Sequence, residues 1–165
     1  MSKPDIQAIL NDRNIVFVDT YLEQFPKDSN EYKLLHVFSY GTWNDYLALE
    51  KSLPANLKID VKSEAANKLK KLTLLTLFAN QKKISFSTLL TELSIDNPDD
   101  LEDLVVDLLG MELIEAKIDE STKTIICTRA CARCVPNDKE AIDNIIKKIS
   151  GIRGRISEAL KIASS

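Results

Sequence analysis

Glycine is scarce in this chain, with four in 165 residues. None sits in a spacing that could wrap a phosphate, so a nucleotide-cradling loop is excluded. Proline is nearly as rare at five, and both residues fall mostly where apolar periodicity breaks, as in helices joined by short connections. Long apolar runs are missing too. The best stretch, Leu72 to Ala79, is interrupted by Thr73 and Thr76 and falls far short of the roughly 20 residues a bilayer span needs. Met-Ser-Lys-Pro-Asp-Ile at the start carries no basic leader followed by an apolar stretch, so secretion is not expected. There is a single histidine and no G-x-S-x-G, Walker, H-E-x-x-H or paired-carboxylate pattern, which leaves an enzyme reading without residues and implies no cofactor. His36 follows Leu35 on a core-facing helical pattern and reads as a buried or half-buried structural ring.

Excess charge of one sign is also lacking: the net charge is −3 and the pI about 5.3, which argues against a polyanion as the obvious partner. The three cysteines are an odd number confined to Cys127–Cys134, so they read as free thiols in a reducing cytoplasm or nucleus. Cys127, Cys131 and Cys134 spell C-x₃-C-x₂-C, the spacing that holds three irons of a cluster in radical enzymes. This chain has no room for the barrel those enzymes need. Zinc would require a fourth ligand, and His36 is far away in sequence. No metal is expected.

What the chain does have is helical periodicity. At 44% apolar and 28% charged it is an average globular composition, able to bury roughly 70% of its unfolded surface without disulfides. Ile6, Ile9 and Leu10 predict a helix started near Pro4, and Phe17, Tyr21, Leu22 and Phe25 a second that Pro26 ends. Leu34, Leu35 and Phe38 predict a third, closed by Gly41 in a left-handed conformation. Thr42-Trp43-Asn44-Asp45 is a capping box that starts the next, making an antiparallel pair. After Leu53-Pro54-Ala55-Asn56 a long helix is predicted from about Ser63 to Asn80. Leu69, Leu72, Leu75 and Phe78 line one face of it and Leu74 and Leu77 another. Gripped from two sides, it is expected to be a spine.

Lys82–Ser85 predicts a short strand, and Phe86, Leu89, Leu90 and Leu93 the helix after it. Asn97-Pro98-Asp99-Asp100 then caps another, with Leu101, Leu104, Val105 and Leu108 on its stripe and Gly110 as its stop. Ile114, Ala116 and Ile118 alternate with polar residues, Asp119 to Lys123 is a turn, and Thr124 to Thr128 is mostly β-branched. That is a hairpin. Helix, strand, helix, helix, hairpin is the order of a winged helix. Its third helix would be the groove reader, yet from Ile84 to Ala116 there is no Lys or Arg while Glu92, Asp96, Asp99, Asp100, Glu102, Asp103, Asp107, Glu112 and Glu115 are acidic. Nucleic-acid binding by that helix would be repulsive. Lys58, Lys62, Lys68, Lys70, Lys71, Lys82 and Lys83 flank and line the spine. They read as a solvated face, with a weak ridge for RNA or an acidic protein as the alternative.

Pro136-Asn137-Asp138-Lys139-Glu140 is expected to cap a last helix with Ile142, Ile145, Ile149, Ile152, Ile156, Ala159 and Ala163 at alternating spacings of three and four. This narrow heptad seam is built to pack along another helix. Gly151 and Gly154 each cost about 1 kcal/mol in a helix interior, so the helix is expected to be firm only when packed.

Helical hairpins, winged helix and terminal helix resemble the PCI domain, shared by subunits of the proteasome lid, the COP-nine signalosome and a translation initiation factor. Residues 34–46, Leu-Leu-His-Val-Phe-Ser-Tyr-Gly-Thr-Trp-Asn-Asp-Tyr, are similar to the L-L-x-x-F-A-Y-G-T-x-x-D-Y stretch of the seventh-subunit family of that signalosome. Residues 67–73, 84–90 and 101–105 resemble that family's N-K-L-x-x-L-T, I-P-Y-x-x-L-L and L-E-D-L-[IV] blocks in the same order. The likeness covers roughly residues 5–130 and departs at Ser85, where proline is common, and at the cysteine cluster. Family members continue through a further helix and a charged tail, so no role of that tail is carried over.

The resemblance implies a mainly α fold with a small β wing. Residues 1–62 would be the helical-repeat part, 63–130 the spine and winged helix, and 131–165 the helix for bundle packing. It also implies a non-catalytic scaffold subunit of the complex that removes a ubiquitin-like modifier from cullins, with catalysis in a partner metalloprotease. Partners would be other signalosome subunits, met through the wing sheets and a bundle of C-terminal helices. Expected contacts are an open β edge at Thr124, Ile126 and Thr128, or through Ile125 and Cys127 in the opposite register, and the seam residues Ile142, Ile145, Ile149, Ile152 and Ile156. The alternatives are a PCI subunit of the lid or of the initiation complex, and a nucleic-acid-binding winged-helix adaptor.

Overall fold

The computed structural model describes residues 4–136 and 139–163, and the chain divides into two compact units, Met1–Cys134 and Val135–Ser165. In the first unit, α1 (Ile6–Asn11) and a 3₁₀ segment (Asp19–Gln24) precede α2 (Asn30–Tyr40) and α3 (Trp43–Glu50). The spine α4 (Glu64–Asn80) follows, then β1 (Lys83–Ser85), α5 (Phe86–Leu93), α6 (Pro98–Gly110), β2 (Ile114–Asp119) and β3 (Thr124–Ala130). The second unit is one helix, α7 (Lys139–Ala163). The residues expected to cap it include Asn137 and Asp138, which lie outside the described residues.

Helix starts follow local side-chain chemistry. Ser29, Ser63, Ser85 and Asn97 each accept a hydrogen bond from a backbone N–H of the first turn, satisfying a donor the helix itself leaves unpaired. The box at α3 is complete: the Thr42 N–H donates to Asp45 Oδ2 at 2.7 Å while the Asp45 N–H donates to Thr42 Oγ1 at 3.4 Å.

One helix end differs from expectation. Gly41 is extended, at φ −91° and ψ −171°. A Cβ there would lie 3.1 Å from the Val37 carbonyl oxygen and 3.2 Å from Asp45 Oδ2, so a close approach favours glycine at this position. α6 ends at Gly110 as expected. The left-handed position falls on Glu112 (φ 57°), because the Leu113 N–H closes onto the Leu108 carbonyl and the Glu112 N–H onto the Leu109 carbonyl, both at 3.0 Å. A left-handed conformation costs a residue with a Cβ about 1 kcal/mol that glycine avoids. Glu112→Gly should therefore raise stability by about 1 kcal/mol, read as a higher urea midpoint at unchanged slope.

One buried cluster joins the parts of the first unit. α4 packs against α1, α3, α5, α6 and β3, with Leu69, Leu72, Leu74, Leu75 and Phe78 buried, as a two-faced spine requires. Thr73 Oγ1 accepts from the Trp43 N–H and donates to the Leu69 carbonyl, both at 2.8 Å, tying the start of α3 to α4. The sheet is antiparallel with strand order β1-β3-β2. Ile84, Ile114, Ile125 and Cys127 enter the core from it.

Candidate partner-binding surfaces

Strand order corrects the expected edge. β3 is the central strand: Thr124, Ile125 and Ile126 face Ser85, Ile84 and Lys83 of β1 on one side and Asp119, Ile118 and Lys117 of β2 on the other. The Cys127 N–H donates to the Lys82 carbonyl at 2.8 Å. Thr124 is buried, Ile126 half-buried and Thr128 exposed, and Ile125 and Cys127 point into the core. The backbone groups of residues 124–127 are thus used within the sheet. Pairing of β3 with residues some forty positions earlier is a tertiary event with no local sign in the hairpin. The edges are β1, three residues long, and β2, six residues long. β2 is the stronger candidate for pairing. Its side chains alternate between exposed Glu115 and Lys117 and half-buried Ala116 and Ile118, and a bulge lies between Glu115 and Ala116.

The seam stands on α7 as expected from its spacing. No described residue of α7 is buried. Ile142, Ile145, Ile149, Ile152 and Ile156 are all exposed, from 38% at Ile145 to 60% at Ile149. They form one exposed apolar stripe along the helix, larger than the scattered single apolar residues of ordinary surface.

Three of the seven lysines expected on a solvated face are withdrawn from it. Lys68 is buried, and its ammonium donates to the Ile9 and Asp12 carbonyls at 3.0 and 2.8 Å, closing the end of α1. Lys70 is buried with Nζ 4.9 Å above the Trp43 ring. Lys71 pairs with Asp107 at 2.6 Å. Only Lys58, Lys62, Lys82 and Lys83 of that set are exposed. Lys68 lies three residues after Ala65 and four before Leu72, so its place on the apolar face was the available signal.

Burial lowers the Lys68 pKa from 10.5 to about 8, against an opposing pull from Asp12. Between those values the unfolded chain holds the proton more often than the folded one, so this group adds stability as pH rises. From about pH 7 to about pH 9 the urea midpoint of the natural chain should therefore climb relative to that of Lys68→Met. A flat or falling difference would contradict a buried cation there.

His36 is exposed, not buried, because it falls on the outer side of α2 between Tyr32 and Tyr40, with ring centroids 6.1 and 4.9 Å away. Cys127 is buried with Sγ 3.1 Å from the Arg129 carbonyl oxygen. Cys131 and Cys134 are half-buried, and burial together with Asp19 pushes the Cys134 thiol up to about 11. Among the described residues no group of three or more His, Cys, Asp or Glu side chains converges as a metal site.

Arg133 carried no signal in the sequence. Its guanidinium donates to the carbonyls of Phe38 (2.9 Å), Gly41 (2.7 Å) and Leu72 (3.2 Å) and to Thr76 Oγ1 (2.8 Å). It clamps the segment leaving β3 onto the end of α2 and the middle of α4. A cleft of about 280 Å³ lies between the N-terminal segment, α4 and α6. Its floor includes Val16, Leu72 and Leu108, and its rim includes the Arg13–Glu64 and Lys71–Asp107 pairs.

Comparison with known proteins places this geometry. Residues 44–129, from α3 into β3, match the model of the PCI domain. The chain is 32% identical over 117 residues to COP9 signalosome complex subunit 7 of Dictyostelium discoideum, covering 71% of this chain and 42% of that protein. It is 30% identical over 109 residues to the Drosophila melanogaster subunit 7, covering 66% and 37%. It is 29% identical over 140 residues to subunit 7a of Pongo abelii, covering 79% and 49%. The chain spans less than half the length of each of these relatives. With helical pair, spine and winged helix in this order, and a family model matched across more than half of its residues, the chain belongs to the PCI-domain family.

Proposed function

We propose that this chain is a non-catalytic scaffold subunit of the COP9 signalosome. On this reading residues 1–62 are the helical-repeat part, 63–130 the spine and winged helix, and 131–165 the bundle helix. Neighbouring subunits are met along β2, the long edge of the wing sheet, and through the seam of α7. Removal of the ubiquitin-like modifier from cullins falls to a partner metalloprotease, and the chain works in the cytoplasm and nucleus. The observation that carries the proposal is the exposed stripe Ile142–Ile145–Ile149–Ile152–Ile156, read together with the subunit 7 relatives. Isoleucine at both alternating seam positions favours bundles of three or more helices over simple pairs.

Affinity purification of the tagged full chain from cells, with mass spectrometry of what co-purifies, tests this reading. Signalosome subunits in stoichiometric amount are the expected result. Recovery of lid or initiation-factor subunits instead, or of nucleic acid with a steep salt dependence, would overturn it.

A further inference from the structure

The charges beside the seam of α7 specify what kind of helix it takes. In a packed seam the flanking positions are the residue just before each of Ile149 and Ile156 and the residue just after each of Ile145 and Ile152. Here they are Lys148, Arg155, Ile146 and Arg153. Every charged flank in the central turns is a cation, and all of them are exposed. The carboxylates of α7, Glu140, Asp143 and Glu158, occupy heptad positions away from the seam. None of the ion pairs recorded among the described residues uses Lys148, Arg153 or Arg155.

Resting on the bundle reading above, we infer that α7 docks against helices of other chains that carry Glu or Asp beside an apolar seam, and not against a second copy of itself. In a parallel pair of copies Lys148 would face Arg153, and in an antiparallel pair Lys148 and Arg155 would share one side of the seam with their own counterparts, so self-pairing brings cation toward cation in both senses. An acidic-flanked helix turns the same positions into interhelical ion pairs, and the repulsion between copies acts as the device that selects the foreign partner. A basic amphipathic helix can also lie on anionic lipid. The central turns argue against that here, since from Lys147 to Glu158 the only apolar side chains are Ile149, Ile152 and Ile156, a stripe as narrow as a helix seam and thinner than a membrane-lying face.

The test uses the full chain and two synthetic helices with isoleucine at both seam positions, one with glutamate and one with lysine at every flank. Binding is followed by fluorescence anisotropy, at low and at physiological salt. The acidic helix should bind at least tenfold tighter than the basic one, by a margin that shrinks with salt. Lys148→Glu, Arg153→Glu and Arg155→Glu together should reverse the preference. Equal binding of both helices would overturn the charge inference and leave the seam intact as a packing surface. Binding of neither would overturn the inference and the bundle reading with it. Tight self-association of the full chain in sedimentation equilibrium would overturn the inference. So would capture by vesicles of phosphatidylserine and phosphatidylcholine that the triple reversal abolishes while the acidic helix goes unbound.

Discussion

Ile149→Asp combined with Ile152→Asp is expected to abolish co-purification with partner subunits while leaving the unfolding of the chain unchanged. Each isoleucine removed from water on docking contributes about 1.5–3 kcal/mol. An aspartate forced into the same packed seam must also lose hydration without a partner. Together the two changes should cost about 4–6 kcal/mol of association, a thousandfold or more. Neither side chain is buried in the free chain, where Ile149 is 60% and Ile152 49% exposed, so the thermal midpoint should stay within about 1 °C. The paired measurements are recovery in the affinity purification and the unfolding curve. Full recovery of partners by the double variant would mean that α7 is not the contact.

The second large effect is on stability. Arg133→Met leaves the carbonyls of Phe38 and Gly41 and the Thr76 hydroxyl without the donor that reaches them. The cation also lies at the C-terminal end of α2, where helix carbonyls favour positive charge. Hydrogen bonds to a charged group are worth about 1.5–3 kcal/mol, and stranded buried acceptors add to the loss. Burial lowers the Arg133 pKa from 12.5 to about 10, an opposing desolvation cost that the variant relieves. The expected net loss is about 2–3 kcal/mol, or roughly 5–10 °C for a chain of this size. Arg133→Lys should recover part of it, since an ammonium supplies donors but cannot span four acceptors as a planar fork does. Equal loss in both variants would point to packing of the alkyl stem instead.

What could be read before folding was what lies within one turn of helix or strand. Caps at Thr42 and Asn97 are local, and so were legible. The isoleucine spacing of α7 needs no tertiary information at all. What escaped was set by distant contacts. β3 looked like an edge because the hairpin is its only near neighbour, whereas Lys83–Ser85 returns to pair with it. Lys68 and Lys70 looked solvated because lysine usually is, yet carbonyls of α1 and the Trp43 ring receive their ammonium groups. Gly41 looked left-handed because glycine so often closes a helix that way, yet it is extended, and the left-handed residue after α6 is Glu112, set by hydrogen bonds back to Leu108 and Leu109.

Hydrogen exchange of the full chain, free and within its purified complex, tests the assembly account most directly. The account predicts slowed exchange confined to Ile142–Ile156 of α7 and to Ile114–Asp119 of β2. Unchanged exchange in both segments, with protection appearing instead on the acidic face of α6, would contradict it.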